Sequence, residues 1–173
     1  MTNSATAEQW DPSTKEILKI VAEKMKDGAT IQDAVGVSDG VMEQMYASAF
    51  GLYQNNKYEK AEKIFRLLCY YNHFEKKYFK GLGGALQMQK KYTDAIGAYS
   101  FAIIIDSEDA EAPLHAAHCH LALGNHVKAR SGFFAAYTFA PESQDPNATK
   151  NYAKRMVALM DQKIKKPAAK GAK

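Results

Sequence analysis

The chain repeats itself every 34 residues. Ala61, Ala95 and Ala129 stand 34 positions apart. Three residues before each alanine come Tyr58, Tyr92 and His126; four after come Phe65, Tyr99 and Phe133; seven after come Leu68, Ala102 and Ala136. Four positions in register across three copies constrain the fold more than any local propensity does. Self-similarity at a period of this size marks a stack of like supersecondary units, each unable to bury its apolar face alone. Inside each copy the offsets of three, four and seven place these residues on one helix face. The unit is therefore read as a helix hairpin. The small alanine of the second helix lets the two helices approach, the aromatic before it fills the turn, and the large residue after it packs toward the neighbouring unit.

A period of 34 with this pattern is the signature of the tetratricopeptide repeat. The register sets repeat one at 42–75, repeat two at 76–109 and repeat three at 110–143, with turns at Asn55-Asn56, Lys90-Lys91 and Gly124-Asn125. The fold class is all-α: three tandem hairpins forming an α-solenoid, between an N-terminal dimerisation helix and a C-terminal capping helix. Residues 1–10 read as a disordered polar arm and 11–41 as a helical region. There Asp11-Pro12 and Ser13 with Glu16 signal a helix start, Gly28 a stop, and Thr30 with Asp33 a short turn of helix closed by Gly36. Residues 144–164 read as the cap, presenting Tyr152, Met156, Leu159 and Met160, and 165–173 as a basic disordered tail. The apolar run Phe101–Ile105 could serve a strand, but it continues a helical pattern from Ala95, and its length argues for helix.

Charge matters by its distribution. The net charge is +4, yet residues 163–173 hold five lysines and no acid. Without them 18 basic residues face 19 acids, so the body is nearly neutral. Only Arg66, Arg130 and Arg155 are arginines, which argues against a nucleic-acid surface. No apolar run is long enough to span a bilayer, and residues 1–10 carry no secretory signal pattern. Cys69 and Cys119 lie inside apolar patterns without C-x-x-C spacing and are expected to be buried, reduced thiols.

In stacked hairpins the first helices line a concave surface. The groove positions are Glu43, Tyr46, Phe50, Tyr53 and Gln54 in repeat one, and Lys77, Lys80, Gly84, Gln87 and Met88 in repeat two. In repeat three they are Glu111, Leu114, His118, Leu121 and Ala122, with His115 one residue away. Tyr46, Phe50 and Tyr53 form one helical stripe. Core packing could use such a stripe, but the register already assigns the helix core to Met45, Ala49 and Leu52. The stripe is therefore expected in the groove, where it suits an extended peptide with spaced apolar side chains. His115, His118, Cys119, His120 and His126 crowd repeat three, but Cys119 and His120 turn away from the face that His115 and His118 share. No metal or other cofactor is expected. Gly81-Leu82-Gly83-Gly84 falls inside a helix and is too short for a phosphate loop; there glycine serves close helix packing. No nucleophile or carboxylate constellation appears, so no catalysis is expected.

Several stretches together resemble one family. These are Gly28-Ala29-Thr30-Ile31-Gln32-Asp33, Met42 to Tyr46, Ala49-Phe50 through Tyr53, Tyr58-Glu59-Lys60-Ala61-Glu62, Phe65 to Tyr70 and Tyr78 to Gly83. The chain resembles the class II chaperones of bacterial type III secretion, the group that contains the Yersinia and Shigella translocator chaperones. The resemblance runs from about Gly28 to Ala140. It implies a non-catalytic protein of the bacterial cytoplasm that holds an extended segment of two hydrophobic translocators in its concave groove. Tyr46, Phe50, Tyr53, Lys80, Gln87, Leu114 and His118 match that groove. The resemblance also implies a homodimer, for which Ile17, Leu18, Val21 and Met25 offer an apolar surface; no nucleic-acid or membrane partner is expected from the residues. The other reading is a repeat scaffold or co-chaperone docking an acidic peptide terminus on Lys77 and Lys80.

Overall fold

The computed structural model describes residues 12–165. They form α1 (Pro12–Lys26), α2 (Ile31–Val35), α3 (Asp39–Gln54), α4 (Tyr58–Tyr71), α5 (Lys76–Met88), α6 (Tyr92–Ile105), α7 (Glu111–Ala122), α8 (His126–Phe139) and α9 (Thr149–Lys165). No strand occurs among the described residues, and Phe101–Ile105 ends α6. The terminal segments expected as an arm and a tail lie outside the description, save Lys165, the last residue of α9. Helix α1 starts at Pro12, one residue ahead of Ser13, so Ser13 sits inside the first turn rather than at the cap. Helix α2 is the expected short turn, and it opens on a capping box: Thr30 Oγ1 accepts from the Asp33 amide while the Asp33 carboxylate accepts from the Thr30 amide, and Gly36 closes it at φ 75°.

Three hairpins follow: α3–α4, α5–α6 and α7–α8. Each turns in the same way. Asn56, Lys90 and Gly124, 34 residues apart, all adopt positive φ, at 58°, 61° and 73°. The amides of Lys57, Lys91 and Asn125 then reach back to the carbonyls of Leu52, Leu86 and His120 at 2.9, 3.0 and 2.9 Å. These bonds satisfy carbonyls that the end of each first helix would leave open.

The repeated residues form the core. Ala61, Ala95 and Ala129 are wholly buried, as are Leu68, Ala102 and Ala136, and Phe65, Tyr99 and Phe133 are nearly so. Ala49 is buried with Met42, while Met45 and Leu52 are half-buried against the same core. The large rings demand small residues opposite them. A Cβ on Gly83 would fall 2.6 Å from the Tyr99 ring, and one on Gly81 2.4 Å from the Phe65 ring. Cys119 is buried but Cys69 is only half-buried. Burial pushes the Cys69 thiol up to about 12 and the Cys119 thiol up to about 11, so both stay protonated. A separate small core of Ala117, Ala129, Phe133 and Met160 joins α7 and α8 to α9.

Candidate peptide-binding groove

The first helices α3, α5 and α7 carry the groove residues. A cavity of about 450 Å³ opens between them. Its walls include Tyr46, Phe50 and Tyr53 from α3, Lys80 and Gln87 from α5, and His115 from α7. Tyr46 and Phe50 stack at 6.3 Å between centroids, and Phe50 and Tyr53 at 6.5 Å. Phe50 keeps 44% of its surface exposed, although ring burial would favour hiding it. Gly84 contributes no side chain, and a Cβ there would meet only the Tyr53 ring at an ordinary 3.5 Å. The space above Gly84 is therefore open where the equivalent positions carry Phe50 and His118.

Two floor residues come from second helices and were not expected in the groove. Phe65 and Tyr99 reach up between the first helices to line the same cavity. Phe65 meets Tyr46 edge-on at 5.9 Å, and Tyr99 stacks on His115 at 5.6 Å. The Tyr99 hydroxyl donates to Gln87 Oε1 at 2.8 Å. The sequence marks both only as core residues. Their polar or edge contacts become visible once the glycines of α5 bring the helices close.

The groove lysines are already paired. Lys77 donates to Glu43, 34 residues away, and lies over the Tyr46 ring at 5.1 Å. Lys80 bridges α5 to α7 through Glu111 and through Asp109 at 3.1 Å. Desolvation opposes charge on Lys80, but its hydrogen bonds to Glu111 and Asp109 outweigh it and raise the ammonium above its ordinary value. The floor thus offers aromatic surface flanked by internally neutralised charges. A docked carboxylate would have to displace Glu43, Glu111 or Asp109 first.

Leu114 and His118, the other two expected groove residues, lie outside this cavity. Leu114 is half-buried against the small core beside α9. His118 meets Phe133 edge-on at 5.1 Å and stacks on Tyr152 at 5.6 Å. Desolvation holds the imidazoles of His115 and His118 below the ordinary histidine value, so both are neutral rings at neutral pH. The crowded histidines do not converge: among the described residues no group of three His, Cys, Asp or Glu side chains is placed to hold a metal. Of the expected dimerisation residues, Val21 is half-buried and Met25 exposed on α1, whereas the side chains of Ile17 and Leu18 lie outside the description.

Paired helices in a 34-residue stack with an aromatic concave floor define a tetratricopeptide-repeat protein, and that repeat family matches residues 42–73 and 77–109. The chain belongs to the type III secretion translocator chaperones. It is 37% identical to the low calcium response locus protein H of Yersinia pestis over 75% of this chain and 77% of that protein. The translocator chaperone SycD of Yersinia enterocolitica superposes with a TM-score of 0.69 at 33% identity, covering 76% of this chain and 98% of SycD. PcrH in complex with the chaperone-binding region of PopD gives a TM-score of 0.69 at 36% identity, covering 73% of this chain and 96% of PcrH.

Proposed function

We propose that this chain is a non-catalytic chaperone of the bacterial cytoplasm that holds an extended segment of hydrophobic translocator proteins in its concave groove. Holding that segment keeps the translocators from aggregating or associating before secretion. The observation that carries this reading is the Tyr46–Phe50–Tyr53 row, with Phe50 exposed between two half-buried tyrosines, lining a cavity of about 450 Å³ whose lysines are neutralised within the chain. Such a floor rewards apolar side chains, and tyrosine hydroxyls and Gln87 can bond a peptide backbone. The relatives support it, since PcrH is seen holding a segment of PopD. Among the described residues no helix is long and apolar enough to cross a membrane, in keeping with a chaperone that carries rather than inserts.

The test is titration of a translocator's chaperone-binding segment into the wild-type chain and into a Tyr46→Ala, Phe50→Ala double variant. Loss of an anchoring aromatic contact weakens binding by about tenfold or more. Binding should therefore collapse while the helical circular dichroism signal persists. Unchanged affinity in the folded double variant would remove the groove from the function.

A further inference from the structure

Helix α9 continues the register of the three units before it. Phe50, Gly84 and His118 hold the same place in successive first helices, and Tyr152 stands 34 residues beyond His118. The structure seats Tyr152 accordingly. Its ring stacks on His118 at 5.6 Å and meets Phe133 edge-on at 6.4 Å, and its hydroxyl lies 3.3 Å from His118 Nε2. Ala153 is wholly buried, as are its register equivalents Ala85 and Cys119. Further along, Asp161 accepts from Arg130 of α8 through both oxygens, at 2.5 and 3.5 Å. Helix α9 thus stands where the first helix of a fourth unit would stand, and by register Tyr152, Arg155 and Met156 take groove positions.

Two features mark this surface as a continuation of the groove. Leu114 and Leu121 of α7 and Tyr152 and Met156 of α9 are half-buried against one small core, so apolar surface passes from α7 to α9 beside the cavity. The charge also changes there. Lys77 and Lys80 each face an acid. Among the described residues Arg155 faces none: it donates to the Pro146 carbonyl at 2.5 Å and lies over the Tyr152 ring at 6.0 Å. A guanidinium backed by an aromatic ring at the end of an apolar groove suits a carboxylate.

We propose that the groove extends onto α9, and that the segment bound in it runs on past His118 to set an acidic side chain against Arg155. This rests on reading the groove as a peptide site. The occupant is the same segment because α9 presents the next set of groove positions by register, directly against α7. Packed helices lie about 10 Å apart and an extended chain advances about 3.3 Å per residue. About three further residues therefore carry the segment from α7 to α9.

The experiment is calorimetric titration of the full chain with two probes. One is the chaperone-binding region of PopD; the other is the same peptide lengthened at each end by about ten residues of native PopD sequence, enough to pass one more helix. The longer peptide should bind about tenfold more tightly, as a charge-assisted contact predicts. Arg155→Glu should abolish that gain and leave the short peptide's affinity unchanged. Arg155→Gln, which keeps a donor for Pro146, should lose the gain equally while α9 stays folded. Equal affinities for the two peptides, or a gain that survives both substitutions, would confine the groove to α3, α5 and α7. Phe50→Ala separates this result from the larger reading: it should weaken both peptides alike, and if it weakens neither, the peptide-groove assignment itself fails.

Discussion

Phe65 lies across the backbone of Gly81, so near that a Cβ on Gly81 would fall 2.4 Å from its ring. Phe65 belongs to the second helix of repeat one and Gly81 to the first helix of repeat two, so this contact sets the spacing between units. The ring cannot retreat, because it is 1% exposed and fixed by Tyr46. Gly81→Ala should therefore destabilise the chain by about 1–3 kcal/mol through overpacking, despite alanine's better helix propensity. Urea unfolding measures it. Gly97→Ala is the control, since nothing lies within 4 Å of a Cβ there, and it should be neutral or slightly stabilising.

That contact also shows what could be read in advance. The alanines, the turns and the large residues of second helices repeat at a fixed period, and periodicity reports backbone architecture directly. The aromatic row of α3 is legible as one helix face, though not its burial: Tyr46 and Tyr53 also pack half-buried against the core, and Phe50 alone of the three is exposed. Phe65 and Tyr99 were not legible as groove floor. A buried ring reaches the concave side only where glycine opposes it, and that depends on pairing Gly81 and Gly83 with particular rings across helices. Leu114 and His118 differ for another reason. Their neighbours Tyr152 and Met156 come from α9, beyond the third repeat, so counting within three units leaves those contacts out.

Acid should loosen the stack through two carboxylates. Partial burial opposes charge on Glu62, but hydrogen bonds from Lys91, Gln89 and Arg66 hold its pKa down at about 2. Asp109 is likewise held at about 2: burial opposes its charge, and bonds from the Ala112 amide, Lys76, Lys80 and the Glu111 amide outweigh it. A carboxylate with a lower pKa when folded contributes stability above its unfolded pKa and loses it as pH falls through the folded value. Starting from ordinary values of 4.5 and 3.8, the loss should fall between about pH 4.5 and pH 2. Thermal unfolding across that window should show a falling midpoint, and Glu62→Gln should flatten the slope. An unchanged slope in Glu62→Gln would assign the acid sensitivity to other groups.

The pairing of Lys80 separates two kinds of ligand. Were the groove a clamp for acidic termini, Lys80→Ala would cost most of the affinity. With Glu111 and Asp109 already occupying the ammonium, the substitution removes pairing within the chain: the exposed Glu111 pair is worth about 0–1 kcal/mol, and the buried Asp109 side chain keeps Lys76. An apolar translocator peptide should then bind Lys80→Ala within about fivefold of wild type. A peptide ending in acidic residues should bind neither protein measurably. Calorimetry with both peptides checks this, and tight binding of the acidic peptide would favour the clamp.

Helix α1 presents more apolar surface than its own chain covers. Among the described elements it packs against α2, leaving Ile20 and Met25 45% and 41% exposed and Val21 half-buried. A helix of 15 residues is marginal by itself in water and needs an apolar partner for its stripe. A second copy supplies one by symmetry, since the same stripe faces itself across a two-fold axis. Val21→Asp would bury a charge in that contact, which such an interface does not tolerate. Sedimentation should therefore give a dimer for the wild type and a monomer for Val21→Asp. The groove lies on α3, α5 and α7, so translocator-peptide affinity should survive in the monomer. A wild-type monomer would leave the α1 stripe to some other partner.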